Sequence, residues 1–122
     1  MERSTTRYLS ADGELTFLVI RQPGDIALGF EGTPWHTHAD ILAALSGYPP
    51  EEAVARYVAD LLESRLVIAI ATVDGAVRDI WVAEEPDKPD RYKPDNEIIN
   101  LRYWDGRPYR STDAAICSAI GK

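Results

Sequence analysis

Apolar residues recur along the chain with two periods, and turn dipeptides mark where one gives way to the other. In "ELTFLVIR", Glu14 to Arg21, the residues Leu15, Phe17 and Val19 alternate with Thr16, Leu18 and Ile20. One face is wholly apolar and the other mostly so, which predicts a strand inside a sheet. Strands are predicted before it, at Arg7 to Ser10, and after it, at Asp25 to Glu31 ("DIALGFE"). The pairs Asp12-Gly13, Asp74-Gly75 and Asp105-Gly106 are hairpin signals, because both positions tolerate positive φ, and "QPGD" at Gln22 to Asp25 suits a type II turn.

Two helices follow. Thr37 and Asp40, in the form [ST]-x-x-[DE] ahead of Ile41, Leu42 and Leu45, predict a capped helix start, with Gly47 as its left-handed terminator. Pro49 and Pro50 suit the first turn of the next helix, where a missing N–H costs nothing. Val54, Tyr57, Val58, Leu61 and Leu62 then recur at helical spacing, opposite a solvated face of Glu52, Arg56, Asp60 and Glu63. "RLVIAIATV" and "AVRDIWVAE" predict a second hairpin about Asp74-Gly75. "EIINLRYWDGRPYR" predicts a third about Asp105-Gly106, with Pro108 confining the last strand to an edge, and "STDAAICSAIG" predicts a short helix capped by Thr112 or Asp113. The order is βββ-αα-ββ-loop-ββ, an α+β class in which an antiparallel sheet built from hairpins carries two helices on one face.

At 122 residues the chain has the length of a single domain, 1–122, and 45% hydrophobic residues with three tryptophans supply its core. The formal charge of −7 disfavours a phosphate backbone as partner, so no nucleic acid is expected. The lone Cys117 excludes an internal disulfide and a thiolate-rich zinc site, and reads as a small packing residue. "MERSTTRYLS" lacks the apolar core of a signal peptide, and the longest apolar run, Leu66 to Val73, is far short of the roughly 20 residues that cross a bilayer. A cytoplasmic protein without membrane contact is the expectation, and an edge strand such as the one limited by Pro108 would give it a route to a homodimer.

Both histidines lie in "GTPWHTHADIL". His36-x-His38-x-Asp40 resembles the start of the His-x-His-x-Asp-His run of metallo-β-lactamase-type hydrolases, but Ile41 stands where a third histidine would be, and zinc needs at least three protein ligands. With Thr37 as a cap, the two rings flank the helix start and share no face. Ser46, Ser64, Ser111 and Ser118 lie in no nucleophile elbow, and no glycine-rich phosphate loop occurs. Asp79, Glu97 and Asp105 are strand-adjacent carboxylates that the sequence does not bring together. No catalytic constellation and no cofactor are expected; His36, His38 and Asp40 remain the alternative, as a small metal- or ligand-binding enzyme.

The other distinctive stretch is "EEPDKPDRYKPDNE", Glu84 to Glu97, stiffened by Pro86, Pro89 and Pro94. Loops of this length in compact domains are usually functional. Its acids Glu84, Glu85, Asp87, Asp90 and Asp95 adjoin Tyr92, and Trp104 at the next turn is expected on the surface. In size, charge and architecture the whole chain resembles bacterial toxin immunity proteins. That resemblance implies a protein partner, a cognate toxin whose basic active-site cleft is occluded: the acids replace the charge of the substrate, while Tyr92 and Trp104 fill pockets.

Overall fold

A computed structural model describes residues 3–84 and 96–110. Three strands follow one another as a meander: β1 (Ser4–Leu9), β2 (Thr16–Gln22) and β3 (Asp25–Phe30). A three-residue strand, β4 (His36–His38), then pairs with β3 and runs directly into helix α1 (Ala39–Ser46). Helix α2 (Pro50–Leu62), strands β5 (Val67–Val73) and β6 (Ala76–Ala83), and strand β7 (Glu97–Arg102) complete the order. The class is α+β with antiparallel pairing throughout. Its strands divide into two sheets, β1-β2-β3-β4 and β6-β5-β7.

Both helices and the central strands form where the sequence predicts. Gly47 ends α1 at φ 82°, and its N–H donates to the carbonyl of Ala43. Pro50 opens α2, which buries Ala53, Val54, Val58 and Leu61 along one stripe. Asp74 and Gly75, both at positive φ, close the β5–β6 hairpin.

Alternation decides the faces of the first sheet. Leu15, Phe17, Val19, Leu28 and Phe30 point inward and are almost wholly buried. They meet Leu42 of α1, the stripe of α2, and Ile68, Ile80 and Val82 from the second sheet, so a single cluster of apolar side chains draws on both sheets and both helices. At its centre Phe17 packs edge-on against Phe30 at 5.0 Å and lies 6.4 Å from Tyr57. Burying that many branched and aromatic side chains, at about 1.5–3 kcal/mol each, is the main force holding the layers together.

Three expectations are corrected. Thr37 is not the cap of α1: it is a strand residue opposite Leu28, and His38 occupies the N-cap position without a side-chain capping bond. Because β4 runs into the helix without an intervening loop, Thr37 is held by the sheet. The segment after Asp105-Gly106 is no full strand. Pro108 lacks an N–H, and the return is reduced to a bridge between Arg102 and Pro108 with bonds from Tyr103 N to Arg107 O and from Tyr109 N to Leu101 O. Trp104, expected on the surface, is 7% exposed and belongs to the core.

The burial of Trp104 has a visible cause. Arg102 reaches from β7 to Asp12 in the β1–β2 turn (Nη1 to Oδ2, 2.8 Å), while its Nε and Nη2 donate to the carbonyls of Tyr103 and Trp104 at 3.0 and 3.1 Å. Asp12 in turn accepts from the Ser10 hydroxyl (2.7 Å) and from the Glu14 N–H (3.1 Å). The Asp105-Gly106 turn is thereby folded onto the Asp12-Gly13 turn, which directs the indole inward. The predicted tail helix and Cys117 lie outside the described residues.

Candidate contact site around helix α1 and the histidine strand

An extended backbone at β4 places His36 and His38 on the same face, contrary to the expectation that a helix cap would separate them. Opposite Gly29 and Ala27 respectively, the two rings stand edge to face at 5.0 Å. His38 Nδ1 lies 3.1 and 3.2 Å from the two carboxylate oxygens of Asp25, the first residue of β3. A carboxylate only accepts, so this nitrogen carries a proton whatever the charge of the ring. His36 Nδ1 lies 3.1 Å from the carbonyl of Pro34 and donates to it by the same logic. Both rings therefore turn Nε2 away from their partners.

Asp40 does not join them. It is exposed, and its carboxylate accepts the N–H of Ile41 at 2.9 Å. Among the described residues no three His, Cys, Asp or Glu side chains come together as a group able to hold a metal ion. The other carboxylates singled out in the sequence are also dispersed. Asp79 accepts from the Trp35 N–H (3.3 Å) and from Ile80 N (2.9 Å), tying the approach to β4 to strand β6. Asp105 accepts from the N–H and guanidinium of Arg107, which hold its carboxyl below the usual range. Glu97 is buried at the start of β7.

Of the predicted partner-binding residues, Glu84 is exposed at the end of β6. Its charge adds to burial in pushing the Tyr57 hydroxyl up, away from ionisation. Trp104 is in the core, and Glu85, Asp87, Asp90, Tyr92 and Asp95 lie outside the described residues.

The surface that sequence reasoning missed is on α1. Of its apolar residues, Ala39 and Leu42 are buried, whereas Ile41 is 47% and Leu45 75% exposed. Tyr48, just past the Gly47 cap and 39% exposed, extends the row, with the Arg56 guanidinium 3.9 Å from its ring centre. A spacing of four residues puts Ile41 and Leu45 along one ridge of α1, and Tyr48 follows beyond its left-handed cap. The signal was present in "ADILAALS", which is apolar on nearly every side; such a helix is either enclosed or meets something.

Beside the ridge, where the β2–β3 turn meets the first residues of both helices, lies a shallow cavity of about 360 Å³. Asp25, Asp40 and Glu51 stand on its walls with Ile26, Ala39 and Pro50. Glu51 is bridged to Arg21 at 3.3 Å with both side chains well exposed, a contact that solvent screens heavily. Asp25 belongs both to this cavity and to the histidine pair, and Asp40 precedes the ridge residue Ile41. Cavity and histidine pair are therefore joined through Asp25, and the cavity takes in the first turn of the helix that carries the apolar ridge.

The chain matches no protein-family model, and comparison with the curated proteins and with the solved structures yields no match either. No described helix is long and apolar enough to cross a membrane.

Proposed function

We propose that the chain is a binding protein that acts by covering a protein partner with an apolar, basic surface, as an immunity protein covers its cognate toxin. The observation that carries this reading is the pair of exposed apolar side chains Ile41 and Leu45 on α1, with Tyr48 half-exposed after its cap, near a cavity walled by Asp25, Asp40 and Glu51. Exposed apolar side chains gathered on one short helix are a feature of contact surfaces, and aromatic residues such as Tyr48 are enriched there. The carboxylates suit a lysine or arginine of the partner entering the cavity, and a net charge of −7 would speed its approach.

The contact is thereby centred on α1, and of the acidic loop only Glu84, at the end of β6, lies among the described residues. The test is interferometry with the product of the gene adjoining its own. Binding is expected, with Leu45→Asp weakening it at least about tenfold, mainly through faster dissociation. An adjoining product that does not bind, or one indifferent to both Leu45→Asp and Ile41→Asp, would overturn the proposal.

A further inference from the structure

Among the described residues the first sheet ends on β1, and that edge has neither the shortness, the bulge nor the proline that usually guards one. Edge strands are protected by shortness, bulges, proline or unneutralised charge. β4, at the opposite edge, is three residues long. β6 has a register shift opposite Ala71 and Thr72, and the outer side of β7 is partly covered by Pro108 and Tyr109. β1 has six residues in regular register with β2, no proline and no bulge, and every residue but Tyr8 is exposed. Its arginine, Arg7, lies 3.2 Å from Glu31 in an exposed pair that solvent screens, so Arg7 keeps its charge at the edge. No described segment pairs with its outer side.

The hydrogen-bond phase shows which groups that edge offers. Ser10 N donates to Leu15 O, and the β1–β2 register keeps the same offset, so Ser4, Thr6 and Tyr8 bond to β2. Glu31 N donates to Thr16 O on the other side of β2, which is the alternation this phase requires. Arg3, Thr5, Arg7 and Leu9 consequently direct their N–H and C=O groups outward.

We propose that two copies of the chain pair antiparallel through β1 about a two-fold axis at Thr6, joining their first sheets into one continuous sheet. Charge selects the register. With the axis at Thr6, Arg7 faces Thr5 of the other copy, Arg3 faces Leu9, and all four outward residues are bonded. Moving the register by one bonded pair toward either end sets Arg7 opposite Arg7, or Arg3 opposite Arg7, and like charges directly opposite destabilise a sheet. From Arg3 to Leu9 there is no acid, so the contact lies in the part of an acidic molecule where two copies repel least. Thr6 meets its own symmetry mate in a non-bonded pair, where side chains approach most closely. A strand-to-strand contact buries less than the roughly 1,200 Å² of a standard interface, so micromolar self-association is expected.

Sedimentation equilibrium over micromolar to millimolar concentrations tests this directly. The mass should rise from one 13.6 kDa chain toward two. Thr6→Lys and Thr6→Glu, both at an exposed position, should each weaken the dimer at least about tenfold, while an equimolar mixture of the two should regain it. Circular dichroism melts check that each variant is folded. A chain that stays monomeric throughout overturns the proposal, as does a dimer that survives Thr6→Lys, or folded variants whose mixture stays monomeric. A dimer lost on Leu45→Asp but kept on Thr6→Lys would assign the contact to α1 and overturn it too.

Discussion

At the scale of single residues, the contact that sequence could not foresee joins Arg102 to Asp12, ninety positions apart. The guanidinium, then the Ser10 hydroxyl and the Glu14 N–H, hold the Asp12 carboxyl well below the usual carboxylate range. A carboxyl more acidic in the folded than in the unfolded chain adds stability above its ordinary value of 3.8, and that stability drains away as the pH falls toward the lower folded value. Asp12→Asn should therefore melt below the wild type at pH 7, and the gap should narrow once the pH drops below about 4. Thermal melts of both proteins from neutral to acid pH check this; a gap of constant size would mean that the carboxylate charge contributes nothing. Trp104 belongs to the same arrangement. Beside a turn dipeptide an indole reads as exposed, and it is the distant Asp12, reached by Arg102, against which its turn is held.

At the scale of elements, Gly29 is what lets β4 approach β3. A Cβ built there would stand 2.7 Å from the carbonyl oxygen of Trp35, a backbone atom that cannot turn aside. Gly29→Ala should cost about 1–3 kcal/mol in urea unfolding and shift the NMR signals of the His36 and His38 rings, because the strand that carries them must move. Unchanged imidazole resonances would show that the pairing absorbs the methyl group. β4 itself was hidden in the sequence. Three residues are too few to display a period of two, and Thr37 with Asp40 imitates a capping box. The longer elements were legible because local chemistry and burial agree in them: Phe17 and Val19 alternate inward, Pro50 opens α2, and Gly47 closes α1. The division into two sheets was not legible. "VIAIATV" is apolar on both faces whichever neighbours it has, and only the core it shares with Phe17 and Leu61 selects them. The contact site was half legible: the histidines were identified, but Asp25, the carboxylate partner of His38, lies thirteen positions upstream on another strand.

For the whole molecule, the charge of −7 should separate the two contacts by their response to salt. A basic partner is drawn in by the long-range field, so its association slows as ions screen that field. Two copies of this chain repel through the same field, and their strand pairing at β1 sets no acid of one copy opposite a base of the other, so screening should strengthen the dimer. Raising monovalent salt from about 0.02 to about 0.2 M shortens the screening length roughly threefold, to less than the width of a small domain. Over that range the dimer dissociation constant should fall several-fold by sedimentation, while the association rate with the partner falls by a similar or larger factor. If both interactions weakened with salt, the copies would be held by opposite charges. Pairing about Thr6, which sets no acid against a base, would then be the wrong geometry.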